Sequence, residues 1–273
     1  MISGIRTHIF IGDMEILRCP RCRIESIRHR PLSRAALTLP DPDGKLYVSI
    51  IPDQEIEIRS GYRDEDPVSW KGLVTYIKYG TTKDQLQVVA VGKNEKLLSS
   101  VFISQAWENE TPEAIIKYAV SKAGLSCGRI DSPGVIIPRY CAATIPVWQV
   151  SRQCAHTCQK SFDIDMSKWA LWLGQDDKVN WGDFDEPAVS AGVPVIATGA
   201  GLIRHLPSQA QAQKELNMVE TFLLPGFMHS MQFHLIDTRR GIDDTFRALQ
   251  IAHEILPNSA RTYISYGNEY EKY

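Results

Sequence analysis

The sequence predicts an α+β fold that is mainly β, with two similar small antiparallel β-barrel domains and an α/β insert between them. Two segments with alternating apolar and polar residues, 52–92 and 225–267, follow one order of turn, strand, polar loop, long strand and closing strand. The segment between them carries two helical patterns instead. We therefore expect domains at residues 1–104, 105–185 and 186–273.

Bulk composition limits the classes of function. The chain has 273 residues, of which 44% are hydrophobic and 23% charged, as in an ordinary globular protein. Lys and Arg number 30 and Asp and Glu 32, a net charge of −2, which argues against a dedicated binder of nucleic acid or anionic membrane. No apolar run approaches the roughly 20 residues that span a bilayer, and the first residues lack a signal-peptide core. We expect no secretory route and reduced cysteines.

The N-terminal part predicts strands over residues 6–40, because apolar residues alternate at positions such as Ile9, Ile11 and Ile24. A Pro/Asp/Gly loop at 40–44 ends them. The same strands hold a local crowd of arginines, which we expect on a solvated or partner-facing strand surface: Arg18, Arg21, Arg23, Arg28, Arg30 and Arg34.

The middle of the chain predicts helices. Thr111 is a suitable N-cap and Pro112 fits the first helical turn, while Gly124 ends the pattern. A second helix is expected from about residue 144 to 160. Two strands, 162–166 and 169–173, are expected to pair across a turn at Ser167 and Lys168. We interpret the loop-rich residues 185–215 as connection, with the Gln/Ala run 209–213 as a strand-edge loop or a flexible tip.

Cysteine spacing leaves a metal-binding module open. Cys19 and Cys22 form a Cys-x-x-Cys pair, and zinc or an iron–sulfur cluster would need about two further ligands. Cys154 and Cys158 could supply them if the fold brought them close. Against this, they lie one turn apart on the apolar face of the second helix, where cysteine is typical of a small buried hydrophobic residue.

Acidic residues near tryptophans leave a hydrolase open. Trp169, Trp172 and Trp181 could line a sugar groove beside these acids or could fill a small core. The acidic cluster, which could also be a solvated loop or a hard-cation site, consists of Asp176, Asp177, Asp183, Asp185 and Glu186. No Gly-x-Ser-x-Gly, His-Glu-x-x-His or Walker-type motif is present. We therefore expect a non-enzyme with no catalytic, cofactor-binding or metal-binding residues and no cofactor.

Several segments, in order and spacing, resemble one family. Gly61-Tyr62 and Trp70-Lys71-Gly72-Leu73-Val74 resemble its first hairpin. Residues 89–98 resemble its strand-to-helix exit, although Gly92 or Asn94 stands where an aspartate is common. Residues 111–116, 146–162, 224–227 and 247–253 resemble its insert helices and closing strands. The chain is similar to the phage tail baseplate-hub family, which includes late-control gene D proteins, the Mu-type tail protein P and the N-terminal part of type VI secretion spike proteins.

The resemblance implies a structural protein of a phage tail or a related contractile injection machine. It implies a homotrimeric, pseudo-six-fold ring that joins the tail tube to the central spike and lines the channel. The implied partners are the tail tube protein, the central spike protein, other baseplate proteins, and tape-measure protein or DNA in the lumen. The implied location is the virion tail baseplate, after assembly in the host cytoplasm.

Overall fold

The chain folds into two compact units. The computed structural model describes residues 4–80, 82, 84–187, 192–207 and 216–267. Unit 1 holds the described parts of Met1–Ile27, Ser33–Lys93 and Pro187–Gly267, and unit 2 holds Arg28–Leu32 and Asn94–Glu186. The division into domains at 1–104, 105–185 and 186–273 stays a prediction.

Unit 1 is formed by two runs of strands, one from each end of the chain. The first run is β1 (Ile5–Ile11), β2 (Met14–Glu15), β3 (Arg21–Ile27), β4 (Arg34–Pro40), β5 (Glu55–Tyr62), β6 (Val68–Tyr79) and β7 (Gln85–Gly92), with the short helix α1 (Lys45–Ser49) after β4. The second run is β13 (Val195–Thr198), β14 (Gly201–Leu206), β15 (Asn217–Phe222), β16 (Gln232–Asp237), β17 (Ile242–Arg247), β18 (Gln250–Leu256) and β19 (Ser259–Tyr266). Strands β13 and β14 lie where the sequence predicted connection, and residues 209–213 lie outside the described residues.

All fourteen strands belong to one sheet, in the order β17-β16-β13-β14-β15-β19-β18-β3-β4-β7-β6-β5-β1-β2. The two runs meet at the antiparallel pair β18–β3, where Gln250 lies opposite Ile27 and Ile255 opposite Cys22. Because β3 and β18 pair with each other, the described strands form one open order from β17 to β2 rather than two separately closed barrels. The mainly β, α+β class is confirmed.

The order is symmetric about the β18–β3 pair. Counted outward from this pair, one half reads β3-β4-β7-β6-β5-β1-β2 and the other β18-β19-β15-β14-β13-β16-β17. Strands β1–β4 therefore match β16–β19, and β5–β7 match β13–β15. Only β13 departs in direction, since it is parallel to both neighbours. The second half is thus a circular permutation of the first, which differs from the sequence alignment of 52–92 with 225–267.

Alternation along the strands builds the core of unit 1. Ile9, Ile11, Ile56 and Ile58 are fully buried, as their spacing predicted. Strands of the second half form a second cluster around Phe233, which is also fully buried.

Unit 2 contains three helices and two small sheets. Its elements are α2 (Lys93–Ser100), which begins at the last residue of the preceding unit 1 segment, then β8 (Phe102–Glu110), α3 (Pro112–Lys122), β9 (Cys127–Ile130), β10 (Ile137–Pro146), α4 (Val147–Phe162), β11 (Ala170–Leu173) and β12 (Val179–Gly182). Strands β10 and β8 form one sheet, and β11, β12 and β9 the other.

The predicted helix α3 is confirmed, because the Thr111 side chain accepts a hydrogen bond from the Ala114 amide. Of the two predicted strands, 169–173 is confirmed as β11, whereas the strand 162–166 and its pairing with 169–173 are wrong. Helix α4 continues to Phe162, and β11 pairs with β12 across residues 174–178.

Candidate functional site

One face of the sheet carries charged side chains across the junction of the two halves. The antiparallel registers place Arg23 opposite Glu254, and Glu254 opposite Arg261. Glu25 and Arg34 are also directly opposite each other. These side chains point away from the core that Cys22 and Ile24 enter on β3. We call the outward face of β3, β4, β18, β19 and β15 the seam face.

Oppositely charged side chains are paired on the seam face. Arg21 Nη2 lies 2.6 Å from Glu254 Oε1, and Arg23 pairs with Glu25. Glu220 receives Arg204 at 3.0 Å and Arg261 at 3.8 Å. Each glutamate of the face therefore has an arginine partner, and the local field is weaker than the number of charges implies.

Tyr263 lies at the centre of the seam face. Its hydroxyl donates to Glu254 Oε2 at 3.2 Å, and the Arg23 guanidinium carbon lies 5.7 Å from its ring centroid. Burial, followed by the charges of Glu220 and Glu254, raises the pKa of Tyr263. The small side chain of Ala252 leaves a shallow depression of about 300 Å³ beside the tyrosine. The face is polar and closely packed rather than cleft-shaped.

The predicted arginine surface is partly confirmed. Arg21, Arg23 and Arg34 lie on the seam face. Arg28 does not, because it is fully buried in unit 2 and donates to the carbonyls of Lys168 and Gly182, each at 3.2 Å. The sequence did not reveal the partners of the strand arginines, since Glu254 is 233 residues from Arg21.

The acidic residues of unit 2 are not gathered at one reactive point. Glu186 is buried and accepts hydrogen bonds from Trp172 Nε1 at 2.8 Å, Asn180 Nδ2 at 3.1 Å and the Gln175 amide at 3.1 Å. Asp176 is exposed and pairs with Lys178 at 2.8 Å. The Lys178 hydrogen bond lowers the pKa of Asp176. The three hydrogen bonds that Glu186 accepts connect β11, β12 and the turn between them.

The remaining acids of this cluster lie on the surface or near it. Asp177 and Asp183 are exposed, and Asp185 is half-buried. The tryptophans do not line a groove, because Trp172 and Trp181 are buried and Trp169 packs against Trp181 with ring centroids 4.7 Å apart. The three tryptophans therefore belong to a small core, which is the second of the two alternatives that the sequence left open for them.

The cysteines are not arranged as metal ligands. Cys22 enters the core of unit 1, while Cys154 and Cys158 are buried within unit 2. Cys19 Sγ donates to the carbonyls of Arg21 and Thr38. Burial raises the pKa of Cys19 to about 11 and that of Cys22 further, and a metal binds the thiolate rather than the thiol. Among the described residues no group of three or more His, Cys, Asp or Glu could hold a metal ion.

The described part of the chain contains no helix that is both long enough and apolar enough to cross a membrane. No family model matches the sequence, and no curated protein matches it in a sequence comparison.

The fold is that of phage tail proteins and a type VI secretion component, as the sequence resemblance predicted. A 43 kDa tail protein of a Shewanella oneidensis prophage aligns over 97% of this chain and 97% of its own, with a TM-score of 0.68 and 10% identity. The tail protein from Neisseria meningitidis covers 97% of this chain and 96% of its own, with a TM-score of 0.64 and 12% identity.

A type VI secretion system component from E. coli is similar as well. It aligns over 99% of this chain and 79% of its own, with a TM-score of 0.61 and 9% identity, and is described as structurally similar to T4 bacteriophage tail proteins. The predicted resemblance is confirmed at the level of the fold.

Proposed function

We propose that this chain is a structural hub at the distal end of a phage tail or a related contractile injection machine. Three copies form a pseudo-six-fold ring that joins the tail tube to the central spike and lines the channel. The observation that carries the proposal is the symmetric order of the fourteen-stranded sheet, whose two halves have the same strand order outward from the β18–β3 pair. Full-length likeness to tail proteins supports it.

The proposed ring symmetry explains why one chain would contain two similar halves. A tube built from six equivalent positions cannot match a three-fold spike unless each hub chain presents two similar modules. In this proposal each half-sheet serves as one barrel-like tube module, so three chains offer six. The strands β17 and β2, which end the described sheet, are then covered by neighbouring copies instead of remaining as open pairing edges.

The seam face has the character of a channel lining. A polymer such as DNA or tape-measure protein must pass without being held, and this favours a polar wall whose charges cancel locally. The pairs Arg21–Glu254 and Arg23–Glu25 provide such cancellation. Tail tube, spike and other baseplate proteins are the proposed partners, in a virion baseplate assembled in the host cytoplasm.

Native mass spectrometry of the purified chain, alone and mixed with the tube and spike proteins of the same gene cluster, tests the proposal. The expected species contains three copies, and particle images along its axis show six similar densities around a central hole. A stable monomer under all these conditions would contradict the ring. Association with neither the tube nor the spike protein would contradict the hub.

A further inference from the structure

A second concave site lies in the C-terminal half of unit 1, past the end of β13. Strand β13 ends at Thr198, whereas its neighbour β14 continues to Leu206. The turn after β16, residues 238–241, forms the opposite wall. Between them is a cavity of about 410 Å³, lined by the end of β13, by β14 and by residues 237, 239 and 240. We call it the arginine pocket, after Arg204, Arg239 and Arg240.

The floor of the arginine pocket is a rigid buried network. His205 Nδ1 and Asp237 Oδ2 are 2.8 Å apart, and His205 Nε2 lies 2.8 Å from the Tyr266 hydroxyl. The side chains of His205 and Asp237 are each only 1% exposed. Burial opposes ionisation of Asp237, but hydrogen bonds from His205, Arg240 and the Arg239 amide outweigh it and lower the pKa of this carboxyl. The floor is therefore fully bonded and fixes the walls in place.

The rim of the pocket carries an excess of positive charge. Arg240 Nη1 is held by Asp237 at 2.9 Å, and Arg204 Nη2 by Glu220 at 3.0 Å. Arg239 uses only its backbone amide, which donates to Asp237 Oδ1 at 3.1 Å. Its exposed guanidinium makes no hydrogen bond or ion pair with any residue in the described ranges. A planar guanidinium of this kind is suited to a carboxylate or phosphate.

Apolar side chains next to the arginines indicate which anion fits. Ile203 is 40% exposed and Leu206 43% exposed, both on β14. A sugar–phosphate backbone presents no apolar side chains that could pack on such a rim. A polypeptide that alternates acidic and apolar side chains matches both features.

We propose that the arginine pocket binds an acidic segment of a partner polypeptide, with a carboxylate on Arg239 and apolar side chains on Ile203 and Leu206. The pocket lies within one chain, so this proposal stands apart from the ring and would survive its failure.

Fluorescence anisotropy with a labelled, end-capped peptide of alternating Leu and Glu tests it. The full chain should bind this peptide more tightly than the matching Leu/Gln peptide and than a single-stranded DNA oligonucleotide. Arg239→Gln should weaken binding about tenfold, as expected for a lost charge-assisted hydrogen bond, while Arg63→Gln, an exposed arginine on the loop after β5, should leave binding unchanged.

A gain-of-binding variant completes the test. Glu220→Gln frees Arg204 from its carboxylate partner and should tighten peptide binding several-fold. Equal binding of the Leu/Glu and Leu/Gln peptides, no binding at all, or insensitivity to both Arg239→Gln and Glu220→Gln would overturn the proposal. Tighter, Arg239-dependent binding of the oligonucleotide would overturn it in favour of a phosphate site.

Discussion

The guanidinium of Arg28 lies over the ring of Trp172, with Cζ 4.6 Å from the ring centroid. The same indole donates its Nε1 proton to the buried carboxylate of Glu186 at 2.8 Å. One tryptophan therefore contacts both a buried cation and a buried anion inside unit 2. We therefore expect both charged residues to stabilise unit 2. Replacing either one tests this expectation.

Replacing Arg28 by alanine should destabilise unit 2 by about 3 kcal/mol, because the buried Gly182 carbonyl and the partly buried Lys168 carbonyl lose a donor and the cation–π contact is lost. Urea unfolding followed by tryptophan fluorescence measures it, since five of the six tryptophans (107, 148, 169, 172 and 181) lie in unit 2. Arg139→Ala is the matched control, since this side chain is 87% exposed and 3.9 Å from Glu108. A similar loss in both variants would refute the structural role of Arg28.

Replacing Glu186 by glutamine should cost about 2 kcal/mol. The carboxylate accepts three hydrogen bonds from Trp172, Asn180 and Gln175, and an amide must turn a donor towards one of these donors. Asp176→Asn, which removes only a surface ion pair, should change the unfolding free energy by less than about 0.5 kcal/mol. The same urea titration reports both, and an unchanged midpoint for Glu186→Gln would contradict the network.

His253 should make unit 1 less stable in mild acid. Its ring accepts from the Thr262 hydroxyl and donates to the Phe227 carbonyl. Burial lowers the pKa of His253 from 6.5 to about 4, against the opposing effect of the Phe227 hydrogen bond. Between these values the unfolded chain binds a proton that the folded chain does not, so stability falls as the pH drops.

The expected loss from His253 is about 2 kcal/mol between about pH 8 and about pH 5. Urea unfolding followed by far-ultraviolet circular dichroism at both pH values measures it. His253→Gln should remove this part of the pH dependence. His8→Gln, whose side chain is 52% exposed, should retain it, and equal pH profiles for wild type and His253→Gln would exclude the histidine as the cause.

Gly72 should not tolerate alanine. A Cβ at this position would lie 2.4 Å from Cη2 of Trp70 and 2.6 Å from the Val91 carbonyl oxygen, and the tryptophan is held by its Nε1 hydrogen bond to Ser33 Oγ at 3.0 Å. The Trp70 ring thus covers the glycine, and we expect Gly72→Ala to cost about 2 kcal/mol or more. Gly4→Ala, where the nearest atom is 3.9 Å away, should be neutral. Thermal unfolding of the two variants side by side decides the matter.

Local patterns predicted the local elements well. The cap at Thr111 and the alternation at Ile56 and Ile58 correspond to a helix and a strand in the structure, because they depend on neighbours in the sequence. The 162–166 strand failed because helix α4 continues to Phe162 and ends at Asp163, a residue with left-handed backbone, so the alternating residues that follow lie in irregular backbone. The strands β13 and β14 were missed because glycine and proline around residues 192–201 masked short strands as loop.

Long-range pairing could not be predicted from the sequence. The two halves match only after circular permutation, so a search for the same order of strands aligns the wrong elements. The seam face and the arginine pocket were also missed, because each is formed by residues that are far apart in the sequence. Nothing near Arg21 points to Glu254, and nothing near His205 points to Asp237 or Tyr266.

The β18–β3 pair also determines how much of the chain must be synthesised before the sheet of unit 1 can be completed. Strand β3 is made early, but the strand that covers its edge ends at Leu256, so a ribosome must add some 230 residues before the two can meet. Until then β3 presents unpaired backbone groups, which are a template for association with other chains. We therefore expect the nascent N-terminal half to expose a pairing edge that the complete chain covers.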